Sequence, residues 1–508
     1  MQRPLPDMTT RTYHIDPAHG DDTNDGLSPA RPVKNHAELD IRPGDTVLFK
    51  CGSVIRGMLH TRSGQPGWPI RYGAYGEGAD PVFLGSVPAS DADCWRETRP
   101  SVWRYTGALQ SEVCNLVFDG GESCGILRWE AEDLREPGDW HDTSIGTSAA
   151  AESGRGSERR GAELFLCSET NPALAWKEIE CVLWGERKLV DGQRHLILED
   201  LRFENAGVHG YHQVGAEDVV IRRCAFRFIG GAVWHRQHRI RFGNGVEFWD
   251  GASDIVVEGC VFDNIYDSAA THQGGETRNI PERIRFCDNL FVDCGLSAYE
   301  SREPSREIYF EHNTCINSGG GFSVQGEVPP RSTDPYPQPV GYHVFIFLID
   351  ANTQPGPVYI RHNIFYGGYG AAINAVLDPA DEGKFVLDHN AYWQTPDKPL
   401  LQFSRLEPGL TWQDAMAAML AQGSWPLDPD VRVYSAAEFG HFQARSGQDA
   451  HSRVALPLFV DPAHGDYRQR VDSPCRALGA RSILEPEEGD RLVVHGRHLP
   501  GAVGQQRL

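Results

Sequence analysis

The chain of 508 residues is short of lysine, with six (Lys34, Lys50, Lys177, Lys188, Lys384 and Lys398) against 42 arginines. None falls between Lys188 and Lys384, which excludes chemistry that needs a lysine base from that stretch. Net positive charge is also lacking. With 48 basic and 70 acidic side chains the formal charge is −22, which offers no electrostatic footprint for nucleic acid or an anionic membrane surface. No run approaches the ~18 apolar residues of a membrane span. The start, Met1-Gln-Arg-Pro-Leu-Pro, lacks an apolar segment of the secretory kind, so a cytoplasmic location is expected unless a leader has been removed. The 12 cysteines include no C-x-x-C pair, which argues against a zinc site and a disulfide framework and for small buried hydrophobes.

What is present is a repeat. Between 195 and 395 alternating β-branched and apolar residues lead to a small or amide residue, followed two places on by an aromatic or apolar one. The pattern reads Val220-Ile-Arg-Arg-Cys-Ala-Phe226, Val256-Val-Glu-Gly-Cys-Val-Phe262, Ile284-Arg-Phe-Cys-Asp-Asn-Leu-Phe291 and Ile308-Tyr-Phe-Glu-His-Asn-Thr-Cys315. Further copies end in Leu201-Arg-Phe203, Asn363-Ile-Phe365 and Asn390-Ala-Tyr392, so the small or amide position falls at 201, 224, 260, 289, 313, 363 and 390. Periods of 20–30 residues with period-2 strands predict an all-β solenoid of stacked coils, each burying its inner face only against its neighbours. An asparagine at a repeated inner turn can bond its counterpart on the next coil, and Cys224 and Cys260 are compact apolar substitutes there. The longer spacings predict inserted loops near 232–243 and 326–357, on the face where such loops build clefts. A β-sandwich is the alternative.

The chain resembles the right-handed parallel β-helix proteins of the pectate-lyase-like superfamily, among carbohydrate-active members. Tyr13-His-Ile-Asp-Pro-Ala-His-Gly-Asp21, Arg42-Pro-Gly-Asp-Thr-Val-Leu-Phe49 and Ile70-Arg-Tyr-Gly-Ala-Tyr-Gly-Glu77 are similar to the first turns of such helices. Gly243-Asn-Gly-Val-Glu-Phe-Trp249 through Thr271-His-Gln-Gly274 carries the middle, and Leu458-Phe-Val-Asp-Pro-Ala-His-Gly-Asp-Tyr467 with Ser473-Pro-Cys475 is similar to a closing coil. The superfamily hosts hydrolases, lyases, epimerases and binders, so the resemblance implies a fold and a glycan partner more than a reaction. The expected organisation is a β-helix over 10–395 with a cap at 10–85, then a C-terminal elaboration and closing coil over 396–508. Residues 90–190, rich in tryptophan and holding a polar stretch from Ser144 to Arg160, read as early coils with a large insertion. Trp412 to Leu420 has helical spacing.

Counting back from the amide positions aligns Glu247 and Glu300, each 13 residues before Cys260 and Asn313. Alternation points Glu247 and Trp249 outward, and likewise Glu300 and Arg302. By the same register Ala270 falls between the glutamates, and His272 between Trp249 and Arg302. Two coils at ~4.8 Å put the glutamates ~10 Å apart at the backbone, overlapping the ~6.5–9.5 Å carboxyl separation of inverting glycosidases. The expectation is therefore a glycoside hydrolase with Glu247 and Glu300 as acid and base and His272 tuning the acid. Trp249 offers a sugar-stacking face and Arg302 a carboxylate partner, while His212, Asp250, Asp267 and Tyr299 complete the candidate substrate-binding set. No metal ligand is assigned and no cofactor is expected, although the group Asp250, Asp254, Asp263 and Asp267 could hold Ca²⁺ through oxygen ligands. The alternatives are a lyase or C5-epimerase of a uronate glycan, with Arg302, His272 or Tyr299 as base, and a non-catalytic glycan binder.

Overall fold

The computed structural model describes residues 10–145, 161–185, 187–236, 239–273, 280–302, 304–321, 341–347, 356–376, 383–410, 412–422 and 426–481. Three ten-stranded sheets run the length of the molecule, and each coil of chain contributes one strand to each in turn. All pairings within the three are parallel except that of the last strand of the third, Arg432–Tyr434, which is antiparallel to Leu401–Ser404. This is a parallel β-helix. Segment 10–85 already supplies the first rungs of all three sheets.

The alternation that marks the sequence is the alternation of core and surface. In the first sheet Val219 and Ile221, Ile255 and Val257, Ile284 and Phe286, and Ile308 and Phe310 face inward in register and are buried. In the second, the aromatic position of each repeat stacks on that of the next coil. Phe83, Phe203, Phe226, Phe262 and Phe291 follow at centroid separations of 5.6, 5.2, 5.2 and 4.9 Å. Each such ring contributes roughly 1.5–3 kcal/mol by leaving water.

The amide position forms the expected ladder. Asn289, Asn313, Asn363 and Asn390 are fully buried, and each side-chain carbonyl accepts the backbone N–H of the coil before it, at 2.9, 3.1, 2.9 and 3.1 Å. The amide nitrogens of Asn289, Asn313 and Asn363 bond the next asparagine's oxygen at 3.1–3.2 Å. The residue before each rung turns with positive φ: Asp200, Arg223, Gly259, Asp288, His312, His362 and His389 all lie between 51° and 60°. Residues outside the favoured backbone region are held there by the ladder bonds that follow them.

Three insertions leave the coil at one corner, between the second sheet and the third. The largest, 86–183, forms a four-stranded and a five-stranded sheet around its own apolar core of Trp95, Leu116, Trp140 and Leu166. Among the described residues none of its strands joins the long sheets, so 86–183 is insertion and not early coils. The loop expected near 232–243 is an antiparallel hairpin of Ala232–His235 with Ile240–Phe242. The loop expected over 326–357 is corrected in part, because Tyr342–Phe347 inside it is a full strand of the third sheet. Residues 326–340 and 348–355 of that loop, and the stretch 146–160, lie outside the described residues. Beyond 395, Leu401–Ser404 continues the third sheet, the expected helix is found as Trp412–Gln422, and Phe459, Tyr467, Cys475 and Leu478 pack across the outer face of the second sheet.

Candidate active site

The outer face of the third sheet carries the site. Its strands begin with a kink at small residues: Gly210, Gly245, Ala269–Ala270 and Ala298. A Cβ on Gly245 would stand 2.4 Å from the Ala269 carbonyl oxygen and 2.9 Å from the Phe262 ring, so the backbone there approaches the next coil as only glycine allows. The kink brings residues three apart onto one side. As a result Asn244 and Ser297 reach the same outer surface as Glu247 and Glu300, which strict alternation does not anticipate.

Pairing aligns His212, Glu247, Thr271 and Glu300 in one outward row, and Trp249, Gln273 and Arg302 in the next. Thr271, and not Ala270, therefore lies between the glutamates, and Gln273, and not His272, lies between Trp249 and Arg302. The insertion after residue 273 made the sequence register slip by one. That slip reverses the facing of His272, which pairs between the inward Phe248 and Ser301, is fully buried, and meets the Tyr299 hydroxyl through Nε2 at 2.9 Å. Burial pushes its pKa down to about 3. Tyr299 is equally internal, stacked on Phe310 at 4.8 Å. Neither can touch a substrate on the outer face. Asp250 sits at the turn after Trp249 and Asp267 just before Ser268, at opposite edges of the sheet. The structure thus brings together Glu247, Glu300, His212, Trp249 and Arg302 and leaves His272 and Tyr299 in the core.

Glu247 is 3% exposed and surrounded by donors. It accepts from His212 Nδ1 at 2.8 Å, Asn244 Nδ2 at 3.0 Å and Gln273 Nε2 at 3.2 Å, and His209 Nε2 lies 3.2 Å from its Oε2. Burial alone would push this carboxyl up, but His209 and His212 together outweigh it and hold the group far below the usual glutamate range. The Asn244 backbone N–H donates to His209 Nδ1 at 3.2 Å, so the ring proton belongs on Nε2, facing the carboxylate. Burial drives His209 down to about 3, against the pull of the Glu247 carboxylate beside it. Glu300, 2% exposed, accepts from Ser268 Oγ at 2.8 Å and from Arg302 Nε at 3.0 Å, and Ser268 and Ser297 share a hydrogen bond of 3.0 Å. Arg302 lies over the Phe347 ring at 5.7 Å. Between the two acids the buried Thr271 Oγ1 has no hydrogen-bond partner among the described residues.

His209, His212 and Glu247 bring three ligand-type atoms within 4.8 Å of one another, a grouping of the kind that holds a metal. The tautomer argues against it. A metal at Nε2 of His209 would need that nitrogen's lone pair and so a proton on Nδ1, where the Asn244 N–H already points. Of the aspartates suggested for Ca²⁺, Asp250 and Asp267 lie at opposite ends of the strands of the third sheet. His209, Asn244, Ser268 and Ser297 were not among the residues assigned to the site from the sequence; the signal available was the recurrence of a polar residue three places before each outward row.

No family model matches the chain. A stretch of 74 residues is 39% identical to the lacto-N-biosidase of Bifidobacterium longum subsp. longum, covering 13% of this chain and 5% of that protein's length. Among solved structures, the GH136 lacto-N-biosidase of Eubacterium ramulus is similar at a TM-score of 0.43 with 14% identity, over 88% of this chain and 68% of that one. XylC in complex with xylose gives 0.39 with 11% identity, over 79% and 87%, and pectate lyase Pel9A gives 0.35 with 14%, over 80% and 72%. The fold of this chain rests on its own strand pairing.

Proposed function

We propose that the protein is a glycoside hydrolase that cleaves its glycan on the outer face of the third sheet. The observation that carries this reading is a pair of buried glutamates in one outward row, two coils apart, with different surroundings. Glu247, hydrogen-bonded by His212, Asn244 and Gln273 with His209 Nε2 3.2 Å away, is the base that takes a proton from water. Glu300, held by Ser268 and Arg302, is the acid that protonates the departing glycosidic oxygen. With one intervening coil the backbones stand ~10 Å apart, leaving room for water and favouring inversion at the anomeric carbon. Trp249, half-buried at the rim, supplies an apolar ring face for a sugar, and His212 is exposed enough to touch it. The local likeness to a lacto-N-biosidase supports hydrolysis of a glycosidic bond.

The reading needs no metal, so chelation should leave turnover unchanged. The test is incubation with a panel of oligo- and polysaccharides, following reducing ends, the ultraviolet absorbance of an unsaturated product, and the anomer first released. Reducing ends without absorbance, and an inverted anomer, are expected. Unsaturated product would replace the reading with a lyase. Glu247→Gln and Glu300→Gln should each lower kcat by ~10²–10⁴, the usual worth of a general acid or base. Full activity in either variant would remove that residue from the mechanism.

A further inference from the structure

Outside this site, four imidazoles stack along the corner where the first sheet turns into the second. His312 and His362 lie 4.7 Å apart at 4°, His362 and His389 4.8 Å apart at 35°, and His389 and His451 4.7 Å apart at 23°. The first three occupy the positive-φ position before successive asparagine rungs, so the one-coil rise spaces them. His451 comes from the C-terminal segment that closes the end of the helix.

At that open end the stack meets a carboxylate. His389 Nδ1 stands 3.0 Å and His451 Nδ1 2.9 Å from the same oxygen, Asp388 Oδ2, while Asp388 Oδ1 accepts the His451 backbone N–H at 2.8 Å. Two ring nitrogens thus converge on one oxygen of a carboxylate whose other oxygen is pinned by the chain. The three ligand atoms lie within 4.8 Å of one another. The side chains are 44%, 66% and 24% exposed for His389, His451 and Asp388, so a hydrated ion can reach them.

We propose that Asp388, His389 and His451 form a site for a borderline divalent cation such as Zn²⁺. Two imidazoles and one carboxylate with water in the remaining position is a donor set such an ion takes readily. Binding moves the proton of each exposed ring from Nδ1 to Nε2, which frees the two Nδ1 lone pairs for the ion, and the carboxylate oxygen now between them draws back to become the third ligand. The consequence is structural. His451 belongs to the segment in which Ser452 Oγ accepts the Asn390 N–H at 2.8 Å and Arg453 N–H bonds the Asn390 carbonyl at 2.9 Å. An ion here would clip the closing segment to the last asparagine rung.

The experiment is titration of the full-length, untagged chain with ZnCl₂ by calorimetry, together with the thermal midpoint and the visible spectrum of the Co²⁺-loaded protein. Expected are an upward shift of the midpoint with Zn²⁺ and a four-coordinate cobalt spectrum. In His389→Ala/His451→Ala both should disappear, and in Asp388→Asn affinity should fall about ten-fold or more. Absence of binding by the wild type, or binding and spectrum unchanged in the double variant, would overturn the proposal. Circular dichroism of the zinc-free variants separates loss of the ligands from loss of the fold. Hydrolytic activity is independent of the outcome.

Discussion

Asp449 stands where the next asparagine of the inner ladder would be. It is fully buried, and its carboxyl accepts from Asn390 Nδ2 at 3.2 Å and from the Tyr392 hydroxyl at 2.9 Å, as well as from the Ser452 hydroxyl. Burial is the largest influence and raises its pKa from 3.8 to about 6, with the three hydrogen bonds pulling the other way. The folded state therefore holds its proton more tightly than the unfolded chain does. The stabilisation linked to that proton is fully present below an unfolded pKa of 3.8 and is lost as pH rises through about 6. Over that gap, at ~1.4 kcal/mol per pH unit, the loss is at most ~3 kcal/mol. Asp449→Asn keeps an oxygen for Asn390 and Ser452, removes the charge and extends the ladder by one rung. The variant should match the wild type near pH 4 and gain on it up to pH 7, by ~1–3 kcal/mol. Thermal midpoints of both proteins across this range, read by far-ultraviolet circular dichroism, give the comparison. A variant less stable than wild type at pH 7, or a difference that does not grow with pH, would refute the reasoning.

Within the ladder, Asn363 donates to the Phe310 carbonyl and to Asn390, and accepts from both nitrogens of Asn313. Asn363→Ala should cost ~3–4 kcal/mol, at ~1 kcal/mol per bond, measured as a lowered unfolding midpoint. Gly245→Ala forces its methyl against the Ala269 carbonyl and should lower both the unfolding midpoint and kcat, because the same kink sets Asn244 and Glu247. Thr271→Val keeps the shape of the side chain between the two acids but removes its unpartnered hydroxyl. With the hydroxyl free to meet substrate, kcat/KM should fall ~10-fold with the thermal midpoint unchanged, and Thr271→Ser should restore it. The deep ionisation of Glu247 predicts that activity loses no step near the ~4.3 of an ordinary glutamate through this residue, which Glu300→Gln and wild-type pH profiles of kcat/KM can separate.

The solenoid was legible in the chain because it is built from local rules repeated. Alternation of Val219, Val220 and Ile221 sets inside and outside, the amide position sets the corner, and the aromatic two places on sets the inner stack. Those signals need no knowledge of what lies across the sheet. Glu247 and Glu300 could also be aligned, since both are counted back from a secure rung. His272 could not, because the stretch after residue 273 changes the count, and a shift of one residue moves every side chain to the opposite face. The polar shell of His209, Asn244, Ser268 and Ser297 depends on the kink at Gly245 and its neighbours, where alternation stops.

What the amino-acid order determined by itself is thus the coil, its pitch and the identity of its outward acids, since period-2 hydrophobicity and a recurring amide act between adjacent coils. The tertiary structure decided the rest: that three insertions leave at one corner and border the third sheet, that Thr271 and not Ala270 separates the glutamates, and that Glu247 is held far below the usual glutamate range while burial pushes His209 beside it down. These depend on which side chains from different coils share a buried volume, and burial and charge are properties of that volume, not of any one segment.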